Sequence, residues 1–176
     1  MRLTRKYLRI LTAASALYIG LAAAGCSNTD GKLRQSAVAE SPQKSGSAVK
    51  IEEGGALEIP VSEISEDASF YTIDVNGTQM EIIAVKDQNG TIRTAFNTCQ
   101  ICYSSGRGYY KQAGDYLVCQ NCGNRFTADQ VETSSGGCNP WPIFAENKTA
   151  DDNYISISYD FLDESRRIFA NWKSTY

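Results

Sequence analysis

Residues 68–102 read ASFYTIDVNGTQMEIIAVKDQNGTIRTAFNTCQIC, and the alternation within them decides the fold. Tyr71, Ile73 and Val75 share one face of a strand running from Ala68 to Val75, and Asn76-Gly77 is the two-residue signal of a tight hairpin. Thr78 to Lys86 resumes as a second strand. Asp87-Gln88-Asn89-Gly90 turns the chain again, and Thr91 to Asn97 forms a third strand that delivers the backbone onto Cys99. A three-strand meander is therefore aimed at the first of two thiol pairs.

Those pairs are Cys99-Gln100-Ile101-Cys102 and Cys119-Gln120-Asn121-Cys122, with sixteen residues between them. The spacing is that of a zinc-ribbon-like site. Two residues between thiolates let the backbone close into a knuckle with both sulfurs on one ion, and two knuckles complete a tetrahedron. Gly123 directly follows the second knuckle and supplies the positive φ that brings N–H groups toward sulfur, whereas Tyr103 follows the first. The metal ligands expected are Cys99, Cys102, Cys119 and Cys122. Disulfide pairing is the rival state in an oxidising compartment, and a thioredoxin-like exchange site is a weaker rival. Parity argues against a pure disulfide frame: with Cys26 set aside, five thiols remain.

The fifth thiol, Cys138, sits in Gly136-Gly137-Cys138-Asn139-Pro140-Trp141-Pro142, a stretch in which glycine permits close approach and proline stiffens the turn. It reads either as an additional cofactor ligand or gating thiol beside the centre, or as a small residue buried in a tight loop. Tyr109, Tyr110, Tyr116 and Phe126 flank the knuckles and are expected to form a dry wall around them.

Tyr154 to Tyr159 reads as a further strand, and Asp160 as the cap of a helix. Phe161, Leu162, Ile168, Phe169 and Trp172 recur at helical spacing, which predicts packing on the sheet rather than a cofactor box. The fold class is α+β: a small β-rich domain, 56–176, with a two-knuckle, four-cysteine metal site and a C-terminal helix.

Composition removes several functions. The chain of 176 residues contains no histidine, which excludes Ser-His-Asp and Cys-His nucleophile pairs, zinc fingers built on two Cys and two His, a His-ligated Rieske centre and His-based zinc hydrolases. With 17 basic and 20 acidic side chains there is no excess positive field, so nucleic acid is not an expected partner.

Arg2, Arg5, Lys6 and Arg9 precede an apolar run of 16 residues, Ile10 to Gly25, that ends in Ala23-Ala24-Gly25-Cys26. The run is shorter than the roughly 20 residues a bilayer span needs. Residues 1–25 resemble a bacterial lipoprotein signal, with Cys26 lipidated and made the new N-terminus; the usual Leu three places before the Cys is Ala23 here. An uncleaved anchor is the alternative. Loss of residues 1–25 leaves a formal charge of −7, so the anchor and not the domain surface would hold the protein to an anionic membrane. Residues 26–55, rich in Ser, Gly, Gln, Lys, Ala and Glu without an aromatic, read as a flexible tether.

Phe96-Asn97-Thr98-Cys99-Gln100-Ile101-Cys102, Gly108-Tyr109-Tyr110, the run from Leu117 to Phe126 and the Gly-Gly-Cys-Asn-Pro motif at 136–140 together resemble the FtrD-like membrane iron-sulfur protein family. The resemblance covers the globular part of the chain. It implies an iron or iron-sulfur cofactor on the cysteines and a place near bacterial ferrous-iron uptake systems, with iron-transport membrane proteins as partners. Larger members carry many transmembrane helices and extra ferredoxin-like cysteines, which this chain lacks. The signal also has no twin-arginine pair, which points to export of the unfolded chain ahead of any cluster insertion and to an ion, zinc, iron or copper, captured afterwards. The expectation is a lipid-anchored extracytoplasmic protein that handles iron or transfers electrons rather than a classical enzyme. A binding module with a structural zinc on four thiolates and a thiol-disulfide oxidoreductase are the alternatives.

Overall fold

The computed structural model describes residues 47–133 and 135–174. The signal segment, the lipidation site Cys26 and the tether up to residue 46 lie outside the described residues.

The order along the chain is β1 (Val49–Lys50), β2 (Ala56–Pro60), β3 (Ser69–Val75), β4 (Thr78–Lys86), β5 (Ile92–Cys99), β6 (Tyr110–Ala113), β7 (Tyr116–Cys119), β8 (Arg125–Phe126), β9 (Pro140–Pro142), β10 (Thr149–Ala150), β11 (Tyr154–Ser158) and α1 (Tyr159–Ser165), followed by a 3-10 helix (Arg166–Phe169). Among the described residues they form three sheets. The largest runs β1-β3-β4-β5-β9, a second runs β10-β11-β2, and the third, β6-β7-β8, carries the second knuckle.

The meander stands where the alternation places it. Asn76 and Gly77 both take positive φ (51° and 75°), which closes β3 onto β4 with Val75 opposite Thr78. At the next turn the Asp87 carboxylate accepts from the backbone N–H of Asn89 and of Thr91, each at 2.9 Å, and from Arg93. β4 is buried on both faces, and its period of two splits the core. Ile82 and Ala84 join Ile73, Phe96, Ile157 and Leu162 on one side, whereas Ile83 and Val85 join Ala95, Tyr110 and the thiols on the other. Each large apolar side chain so buried stabilises the fold by about 1.5–3 kcal/mol. The cysteines are thus built into the second core.

Four expectations change. Val49 and Lys50 pair in parallel with Ile73 and Asp74, and Ile51 is buried, so the last part of the stretch expected as tether belongs to the fold. One apolar residue suffices there because the β1–β3 pairing holds it in register. The helix starts two residues earlier than expected, because Ser158, still extended, accepts the Phe161 N–H through its hydroxyl; Asp160 lies inside the first turn and is not the cap. The helix is also shorter, handing over to 3-10 geometry at Arg166. Its aromatic stripe is core, as expected: Phe161 and Phe169 each pack on Phe96 with ring centroids 5.7 Å apart. Last, Tyr116 is 41% exposed and not part of any wall, since Leu117 and Cys119 take the inward positions of β7 and leave Tyr116 outward.

Candidate metal centre

The end of β5 fixes the first knuckle. Between Phe96 and Cys99 the pairing with β9 slips, as Phe96 faces Trp141 and Cys99 faces Pro140. The bulge turns Asn97 inward, where its side chain bonds both backbone polar groups of Tyr110: Tyr110 N–H donates to Asn97 Oδ1 at 2.6 Å and Asn97 Nδ2 donates to the Tyr110 carbonyl at 3.2 Å. Asn97 also donates to Glu81, and its carbonyl accepts from Trp172 Nε1 at 2.7 Å. One amide therefore latches the knuckle sheet to the large sheet.

From that latch the backbone laces both knuckles to the start of β6. Cys99 N–H donates to the Gly108 carbonyl at 2.6 Å and Gln120 N–H to the Tyr109 carbonyl at 2.8 Å. The two knuckles repeat one pattern of N–H to sulfur bonds. Cys99 sulfur accepts from the N–H groups of Ile101 and Cys102, Cys119 sulfur from those of Asn121 and Cys122, and Cys122 sulfur from that of Asn124. Gly123 takes φ 74°, as its place after the second knuckle requires. After the first knuckle the chain runs into a short 3-10 turn, Tyr103–Ser105, and the left-handed residue is Gly106.

Gly108 is tightly enclosed. A Cβ there would collide with the Cys102 carbonyl oxygen and lie 2.8 Å from Tyr103 N, both backbone atoms of the first knuckle. Gly108→Ala is expected to push that knuckle away, cost about 1–3 kcal/mol of stability, and weaken metal binding by about tenfold, the equivalent of about 1.4 kcal/mol. A melting curve and a chelator competition check it, and unchanged values in both would refute the close packing.

All five thiols beyond Cys26 converge. The sulfurs of Cys99, Cys102 and Cys119 lie within 4.8 Å of one another, as do those of Cys102, Cys122 and Cys138. Cys99, Cys102 and Cys119 are buried, Cys138 is half-buried and Cys122 is exposed. The disposition differs from a plain four-sulfur tetrahedron, because Cys138 joins Cys102 and Cys122 in a triad of its own. These five cysteines, the ones among the described residues, are free thiols with no disulfide between them.

Gln100, which the sequence reading passed over, clamps the Cys138 loop to the first knuckle. Its Oε1 accepts Gly136 N–H at 2.6 Å, its Nε2 donates to the Pro140 carbonyl at 3.4 Å, and its own N–H donates to the Asn139 carbonyl at 3.2 Å. The buried Tyr110 hydroxyl donates to the Cys138 carbonyl, and Cys99 sulfur lies 3.4 Å from that same oxygen. Tyr110 stacks edge-on against Phe126 at 5.9 Å, so these two residues supply the dry wall. Tyr109 is turned toward Lys173, whose ammonium lies 5.3 Å from its ring, and both line a cleft of about 730 Å³.

These surroundings divide the thiols. Burial pushes Cys119 up to about 12 despite the two knuckle N–H bonds. Burial, together with the hydrogen bond to Cys122, pushes Cys138 up to about 12 as well, and burial raises Cys102. Burial opposes ionisation of Cys99 too, but the N–H of Cys102, the Tyr110 hydroxyl and the N–H of Ile101 outweigh it and lower its pKa. Cys122 is lowered in the same way against its own burial, chiefly by the N–H of Asn124. Ionisation is eased at one sulfur of each knuckle and opposed at the other three, and a cation that binds them displaces thiol protons, which makes its affinity rise with pH. Thiolate-only donors suit iron, an iron-sulfur cluster and zinc.

Among the described residues no helix is long and apolar enough to cross a membrane. Comparison with curated proteins finds no match. Among solved structures, the crystal structure of the quaternary ammonium Rieske monooxygenase CntA in complex with an inhibitor aligns at 14% identity and a TM-score of 0.39, over 60% of this chain and 32% of that one. The chain thus spans about a third of that structure's length. The family model described as membrane iron-sulfur containing protein FtrD-like matches residues 64–169, which include both knuckles and the Cys138 loop. With that match over more than half its length, the chain belongs to the FtrD-like family of membrane iron-sulfur-containing proteins.

Proposed function

We propose that this protein is held at the extracytoplasmic face of a membrane by a lipid on Cys26, and that its thiolate centre binds iron, as an ion or an iron-sulfur cluster, for iron handling or one-electron transfer beside a membrane iron-uptake system. The observation that carries this reading is that the sulfurs of the two knuckles meet, Cys99 and Cys102 with Cys119 and Cys102 with Cys122, under matching N–H to sulfur bonds in both knuckles. Membership of an iron-sulfur-containing membrane family supports iron over other cations. Such N–H groups favour the thiolate and tune a bound metal's potential, which thiolate-ligated iron uses to accept and release an electron.

Exposure supports exchange with a partner. Cys122 reaches the surface, and Ile101 and Tyr103 on either side of Cys102 are 61% and 38% exposed. Apolar side chains around a surface-reaching ligand suit the small, transient interfaces of redox proteins. Full-length protein extracted in detergent and assayed for metals is expected to contain iron, with visible absorption that bleaches on reduction. A colourless protein holding only zinc would replace this reading with a structural zinc module. Disulfides within the pairs and no retained metal would end it.

A further inference from the structure

We propose that the five thiols form two adjoining metal positions, a deep one on Cys99, Cys102 and Cys119 and a surface one on Cys102, Cys122 and Cys138, with the Cys102 thiolate bridging the two ions. The inference rests on the reading of these thiols as metal ligands and adds a second ion, a bridge and a division of roles.

Geometry is the first argument. A tetrahedral thiolate site with bonds of about 2.3 Å places its sulfurs about 3.8 Å apart. Each triad lies mutually within 4.8 Å, a spacing from which its sulfurs can close on one ion, and Cys102 belongs to both triads. A single ion leaves at least one of the five sulfurs without a role. The spare would be Cys138, yet its loop is firmly held: Gln100 binds it at three points, and the Tyr110 hydroxyl donates to the Cys138 carbonyl. A merely buried cysteine needs no such fixing, and Cys138 is only half-buried.

Charge is the second argument. One divalent ion on four thiolates, with Cys138 kept as a neutral thiol, leaves a formal charge of −2, whereas two divalent ions on five thiolates leave −1, with three of the sulfurs buried. Burial then assigns the roles. The deep triad is closed off by Tyr110, Leu117 and Val131, while the surface triad has exposed Cys122 and half-buried Cys138. Three sulfurs with an open side are the arrangement in which a metal keeps a replaceable fourth ligand. The surface ion is therefore the one that exchanges with solvent or a partner, and the deep ion stays.

Cobalt(II) titration of the full-length protein, reduced and anaerobic in detergent, tests this with the metal alone as probe. Wild type is expected to take up two ions per chain, with a magnetic moment below that of two independent ions because the shared sulfur couples their spins. A chelator should strip one ion fast and the other slowly. Cys138→Ser should bind one ion, keep the slow phase and lose the coupling. Saturation at one ion in wild type, uncoupled spins, or two ions retained by Cys138→Ser would overturn the proposal while leaving the single-centre reading intact. No cobalt binding at all would overturn both.

Discussion

Cys119→Ser is expected to release the bound metal and unfold the β6-β7-β8 sheet in one step. Cys119 is 1% exposed, its sulfur belongs to the deep triad, and its backbone closes the second knuckle through bonds with Asn124 and Gly123. The sheet it belongs to has strands of four, four and two residues, too short to be stable without neighbours. Structural metal ions contribute about 10–16 kcal/mol to folding, comparable with the roughly 5–15 kcal/mol by which whole domains are stable. Metal analysis together with backbone hydrogen exchange of 108–126 checks the result. A variant that keeps its metal, or loses it with unchanged exchange, would show that coordination does not organise this part of the chain.

Lys148→Met is expected to cost about 3–5 kcal/mol, the usual effect of leaving a nearly buried charge without its partner. Lys148 Nζ lies 2.7 Å from the Glu132 carboxylate, with the two side chains 9% and 11% exposed. Glu132 also accepts the Thr94 N–H at 2.7 Å, and Lys148 donates to the Thr94 hydroxyl at 2.8 Å. This knot fastens to β5 the segment that leads from β8 to the Cys138 loop, and it holds Glu132 at φ 64°, a backbone angle few side chains adopt. Denaturant unfolding measures the loss. The double variant Glu132→Gln with Lys148→Met should recover part of it, since no uncompensated carboxylate then remains. If the double variant is as unstable as the sum of the single ones, the two side chains are not coupled.

Short-range chemistry was legible in the residues alone. Asn76-Gly77 can do little but close a hairpin between alternating strands, and a C-x2-C pair can point both sulfurs one way with only local backbone. The aromatic stripe on the C-terminal helix was equally plain, because its period admits one buried face. The helix start was misplaced by two residues because Ser158 and Asp160 are both good capping residues, and only the register of β11 chooses between them.

The residues the sequence did not reveal share one property: they act across long stretches of chain. Asn97 reaches Glu81 and Tyr110, Gln100 reaches Gly136 and Pro140, and Glu132 reaches Thr94. A side-chain amide or carboxylate has no periodic signature, so nothing in the sequence around it reveals a partner 36 or 38 residues away. Cys138 belongs to this group. Its motif announced a rigid loop and left open whether the thiol was a ligand or filler.

By itself the sequence determined the meander, the two knuckles and the absence of imidazole chemistry, because each follows from neighbours within a few residues or from composition alone. Only the tertiary structure decided that five sulfurs and not four converge, that Cys102 lies in both triads, and that one triad is buried while the other reaches solvent. Those facts depend on a bulge in β5 and on how two sheets pack across it, and packing is a property of the whole chain.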